Sequence, residues 1–198
     1  AAVSRLRPGL LVLEQIPDLA DIQRGREEVY DRYGRGVFVP ENLPNLTADA
    51  YTSFLRFENN HHWTGINRHG SRTVQDMPAL RNGLAILLDE DQPLYDRYDQ
   101  ATAKVFGMAR AVATAILHVV YPERYGVWNT KVEDGLEELG IFPSKADKAT
   151  EGQQYAAVND VLLRLAAALE INLWTLDNLW ELLSRQQKLA PPFDAIFA

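Results

Sequence analysis

Three stretches of this chain carry polar, charged or turn-forming residues at close spacing. The first, Asn59-Asn60-His61-His62-Trp63-Thr64-Gly65-Ile66-Asn67-Arg68-His69-Gly70, is the densest polar-aromatic run. Asn presents a paired donor and acceptor, Trp a stacking face, and His either. Such a set holds a flat heterocycle and reads its edge; it equally suits a solvated helix–helix loop with a half-buried Trp. The second is Val105-Phe106-Gly107-Met108-Ala109-Arg110. Gly107 stands where a tight turn wants positive φ, open to Gly because it lacks a Cβ. A helix starting near Arg110 presents unpaired N–H groups and the positive end of its dipole. Gly107, Met108, Ala109 and Arg110 therefore form a candidate phosphate seat. In the third stretch, Val127-Trp128-Asn129-Thr130-Lys131-Val132-Glu133, Thr130 and Glu133 have the spacing of a capping box. His61, His62 and His69 match no recognised metal-ligand spacing, so no metal is expected.

The elements that must position these groups read as helices. Leu80, Leu84, Leu87 and Leu88 recur at helical spacing, as do Val112, Ala113, Ile116, Leu117 and Val120, a run that Pro122 stops. Val158, Val161, Leu162, Leu165 and Leu169 form a third stripe, and Leu176, Leu179, Trp180 and Leu183 a fourth. Segments 18–33, 47–58, 93–104 and 130–139 complete the set. No stretch alternates apolar and polar residues with β-branched enrichment, and no hairpin dipeptide joins two such runs. The expectation is an all-α chain of about eight to ten helices in two lobes with a cleft between them. Residues 1–46 read as an N-terminal arm, 47–142 as the body, and 143–198 as C-terminal helices closing the core of a single domain. Trp174 and Trp180 read as core, with a site role the second choice for Trp180 and Thr175 or Asp177 capping the last helix.

Composition narrows the function. The chain has 198 residues, 46% hydrophobic and 24% charged, enough to bury a core without disulfide or metal. Cys is absent, which excludes thiol nucleophiles, Cys-ligated zinc and Cys-bound iron–sulfur clusters. No apolar run approaches a membrane span and no secretion signal opens the sequence, so an intracellular, cytoplasmic location is expected. Net charge is −7, against non-specific polyanion binding by the whole surface. Locally the balance reverses: Arg56, Arg68, Arg72 and Arg81 with the three histidines face only Glu58 and Asp76. That segment can hold a polyanion.

The second and third stretches together resemble the helix-hairpin-helix DNA glycosylases, the superfamily of endonuclease III, MutY and the 8-oxoguanine glycosylases. Val105-Phe106-Gly107-Met108-Ala109 is similar to the family's hairpin, Asn129-Thr130-Lys131-Val132 to its Asp-Thr-His-Val stretch, and Leu139-Gly140 to that stretch's end. Residues 93–142 carry most of the resemblance; Asn59-Asn60 resembles a Gln-Gln pair of the MutY branch. The resemblance implies a helix-hairpin-helix fold, duplex DNA as partner and a flipped base. It places Asn59, Asn60, His61, His62, Trp63 and Trp128 around the base pocket. Three departures stand out. The position of the family's Schiff-base lysine is Ala111, that of its catalytic Asp is Asn129, and the second hairpin Gly is Ala109.

An amide cannot balance an oxocarbenium charge as a carboxylate does, so a nearby acid must replace it. Glu133, which also fits the cap, is the first candidate, ahead of Glu58 and of Asp134, which equally fits a first-turn dipole role; Asn129 would orient water or substrate. The missing lysine implies a monofunctional glycosylase that leaves an abasic site, acting as a monomer without cofactor. Repair, or defence against phage DNA carrying bases such as glucosylated hydroxymethylcytosine, both agree with this reading. Two alternatives stay open: a non-catalytic helix-hairpin-helix reader of modified DNA, and a helical protein-interaction domain.

Overall fold

A computed structural model of the chain describes residues 1–187, and among these there is no strand. Eleven α-helices follow one another: α1 (Ala2–Leu13), α2 (Pro17–Val29), α3 (Ala48–Leu55), α4 (Phe57–Asn60), α5 (Gly70–Thr73), α6 (Met77–Leu88), α7 (Leu94–Lys104), α8 (Arg110–Val120), α9 (Thr130–Glu138), α10 (Glu151–Leu169) and α11 (Leu173–Gln187). A π-helical turn at Tyr30–Val37 and short 3-10 turns at Leu43–Asn45 and Ile66–His69 fill the gaps. The chain is all-α, as the periodicity requires. The count exceeds the expected eight to ten because α4 and α5 are single turns, too short to show a repeat. No described helix is long and apolar enough to cross a membrane.

α8 is the hub. Every residue from Val112 to Val119 is buried, so this helix is enclosed on all sides, with only Thr114 and His118 polar among them. α7 packs against α6 and α10; α11 packs against α1, α2 and α9. One contiguous core runs from Leu6 in α1 through Trp63 and Ile116 to Leu183 in α11. Residues 1–46 contribute fully to it: Leu6, Leu19, Val29 and Phe38 are completely buried. The Trp174 indole N–H donates to the Ile22 carbonyl (3.1 Å) and the Asn178 amide to that of Leu19 (3.0 Å), joining α11 to α2.

Two expected caps move. Asn129, not Thr130, caps α9: its Oδ1 accepts from the Val132 N–H at 3.1 Å, while the Glu133 carboxylate is drawn away to Arg110. Asn one residue earlier is at least as good a cap as Thr, and the nearby guanidinium takes the glutamate. At α11, Asn172 accepts from the Thr175 N–H at 2.8 Å, which frees both Thr175 and Asp177 from capping. A full capping box does occur at α10, between Thr150 and Gln153.

Candidate functional site

Local geometry brings the second and third stretches together. α7 ends at Lys104, and the chain turns through Gly107 at φ +82°. A Cβ there would sit 2.7 Å from the Cβ of Arg72, so only glycine fits on both conformational and steric grounds. α8 then opens at Arg110 with Ala109 as a cap that has no side-chain acceptor. The N–H groups of Gly107, Ala109, Arg110 and Ala111 make no hydrogen bond among the described residues. The Met108 N–H is spent on the Val105 carbonyl (3.1 Å), and Met108 is buried, so it does not serve the seat.

Downstream, an irregular segment is clamped across α8. Gly126 N–H donates to Asn159 Oδ1 (2.7 Å), Gly126 carbonyl accepts from Tyr155 (2.9 Å), and Trp128 N–H donates to Thr114 Oγ1 (2.9 Å). This carries Asn129 and Lys131 over the start of α8. Trp128 lies beneath, parallel to Tyr155 and with the Arg110 guanidinium 4.6 Å above its ring. It supports Arg110 and does not line the cavity that forms here.

That cavity has a volume of about 390 Å³. Its walls come from four places: His62, Trp63, Arg68 and His69; Ala109, Arg110 and Ala111; Asn129, Thr130 and Lys131; and Asp177, Trp180 and Glu181 of α11. The fourth wall is the least legible in the sequence: Trp180 reads first as core and only second as a site residue, and Asp177 as a cap, because a helix stripe does not say which buried residue borders an opening. The available signal was Asp177 itself, an acid inside the apolar face of a helix.

Other expected site residues go elsewhere. Glu58 is exposed in the first turn of α4, where an acid suits the helix dipole; the chain breaks at Arg56, so Glu58 ends no helix. Glu133 is ion-paired with Arg110 and does not border the cavity. Asn59 donates to the Ser53 carbonyl (3.0 Å). Asn60 is fully buried, donating to the Phe54 carbonyl and accepting from the backbone N–H groups of His62 and Trp63. It builds the turn that presents the next two side chains. His61 occupies the left-handed region at φ 57° and packs near Gly25. None of these five borders the cavity. His62 and Trp63 do, stacked with ring planes 10° apart.

The electrostatics divide. Arg68 and Arg72 are exposed and have no carboxylate partner among the described residues. Partial burial, then the charges of Arg68 and Arg72, hold the His69 imidazole below its ordinary range. Inside, two carboxylates one turn apart on α11 differ in environment. Burial raises Asp177, offset in part by His62, the Trp63 N–H and Lys131. Burial also pushes Glu181 up, but hydrogen bonds from Lys131 and Arg185 outweigh it and leave it below the usual range. Among the described residues no group of His, Asp and Glu could hold a metal ion. Comparison of the chain with family models, curated proteins and solved structures finds no match.

Proposed function

We propose that this protein is a monofunctional DNA glycosylase that draws a modified base into the cavity beside α8 and hydrolyses its N-glycosidic bond. One observation carries the reading. Ala111 and Asn129, the positions where the resembled family holds its lysine and aspartate, border one cavity at the uncapped start of α8. Nothing in local sequence requires two residues on different elements to meet there. The free N–H groups of Gly107, Ala109, Arg110 and Ala111, with Arg68, which meets the His69 ring but no carboxylate, suit a DNA phosphate at the mouth. His62 and Trp63 give the cavity an aromatic wall for a flat ring, and its volume falls within the range of small-ligand pockets. Ala111 leaves no Schiff-base nucleophile at the family's place, hence hydrolysis without strand cleavage.

The test is incubation with duplexes each carrying one modified base, such as uracil, 8-oxoguanine, hydroxymethylcytosine or its glucosylated form. Mass spectrometry reads free base and an aldehyde probe reads abasic sites. Salt-dependent duplex binding without base release would replace this reading by that of a non-catalytic reader of modified DNA. The neutral Asn129, spent as a helix cap, is what favours that second reading. Absence of DNA binding would leave a helical protein-interaction domain.

A further inference from the structure

We propose that Asp177, on the last helix, is the catalytic carboxylate that replaces the missing acid at position 129; this rests on the glycosylase reading. The side chain is almost wholly buried, yet it forms part of the cavity wall. Oδ2 accepts from the Trp63 indole N–H at 2.7 Å, and Oδ1 makes no hydrogen bond among the described residues. His62 Nε2 lies 3.3 Å from Oδ2 but outside hydrogen-bond geometry and has no other partner, a buried polar atom left open at the same wall. With Oδ2 held and Oδ1 not among the buried atoms that lack a partner, the carboxylate keeps one oxygen open at the cavity wall. A sugar with developing positive charge in that cavity would meet the open oxygen.

Asp177 is one turn from Glu181, and the two have different work. Glu181 accepts from Lys131 and from Arg185 Nε (2.9 Å), so its charge is already neutralised and it serves to position Lys131. Asp177 is not tied to a permanent cation. The charged and titratable groups that act on it are His62 from the 61–65 turn, Lys131 from α9 and Glu181 from its own helix. Its raised proton affinity makes it a better base than a solvated aspartate.

The step balances with water alone. The C1′–N bond breaks and its electron pair leaves with the base. The carboxylate of Asp177 stabilises the cationic sugar and takes a proton from water as the water oxygen bonds to C1′. That proton then passes to the departed base. Asn129, bordering the same cavity, is placed to orient the water through the amide N–H groups that its capping bond leaves free.

Asp177→Asn tests the assignment, since the amide oxygen still accepts from Trp63. Expected is a folded protein that binds duplex within about threefold of wild type while single-turnover excision falls roughly 10²-fold or more. Excision within about threefold of wild type by a folded Asp177→Asn overturns the assignment and leaves the glycosylase reading intact. No base release by wild type from any duplex in the panel takes both down. Should Asp177→Asn fail to fold, Trp63→Phe is read instead. It keeps the carboxylate and deletes its N–H donor, so the acid limb of the excision–pH profile moves to higher pH. A slower rate with the limb unmoved means Trp63 only packs and overturns the assignment.

Discussion

Lowering the pH from 7 toward 4 protonates histidines in the unfolded chain, while His118 of the folded chain stays mostly neutral until the pH nears 4. Its ring is completely enclosed; Nδ1–H donates to the Tyr125 carbonyl at 2.8 Å and Nε2 accepts from the Tyr30 hydroxyl at 3.0 Å. Burial pushes the imidazole down from 6.5 to about 4, partly opposed by the Tyr125 carbonyl and reinforced by His62. Between those values the unfolded state binds one proton more than the folded state. Stability therefore falls as the pH falls, by ~1.4 kcal/mol per unit and about 3 kcal/mol over the range. That is a large part of the roughly 5–15 kcal/mol of an ordinary domain. Urea unfolding at fixed ionic strength, stepped from pH 7 to 4, measures it. His118→Gln supplies the comparison, because the amide keeps a donor and an acceptor but does not titrate. The variant starts less stable yet loses about 3 kcal/mol less on acidification. Asp177 acts in the opposite sense, its raised proton affinity making stability fall as the pH rises, but it is common to both proteins. Equal acid losses in wild type and His118→Gln would refute the reasoning. The ring also abuts Trp63 and Trp174, so an acid-sensitive His118 links the stability of the fold to the floor of the cavity.

Gly107→Ala forces a Cβ into the left-handed region and against Arg72, costing ~1–2 kcal/mol of stability; duplex affinity is expected to fall by more than this, and unchanged affinity counts against the phosphate seat. Gly135→Ala would place a methyl 2.7 Å from the Trp180 ring, so overpacking of ~1–3 kcal/mol is expected with a changed Trp fluorescence spectrum; a silent substitution contradicts the packing of α9 on α11. Arg68→Ala should lower the slope of log affinity against log salt by about one phosphate contact, measured by fluorescence anisotropy. Borohydride should trap no covalent DNA adduct, since position 111 is Ala and Lys131 is held by Glu181; an adduct abolished by Lys131→Gln overturns the monofunctional assignment.

How the chain is read depends on the range of the interaction concerned. The apolar stripes at Leu80–Leu88, Val112–Val120 and Val158–Leu169 specify helices because a 3.6-residue repeat is local, and those helices form where the repeat lies. The same holds for Gly107, whose positive φ follows from a turn with no room for a Cβ, and for the start of α8 at Arg110. Competition between neighbouring caps was already less legible. Whether Thr130 or Asn129 caps α9 depends on Glu133 being taken by Arg110, which lies 23 positions before that glutamate. The cavity itself was beyond local reading. Asp177 is legible only as an acid on the apolar face of a helix until α11 packs and sets its carboxylate against Trp63, 114 residues earlier. Asn59 and Asn60 look like pocket residues until their amides are seen closing the turn after α3. A side chain's type states what it can bind, but whether it faces a cavity, a neighbour or solvent is set by helices that meet only when the core closes, and for Asp177 tertiary packing decided it.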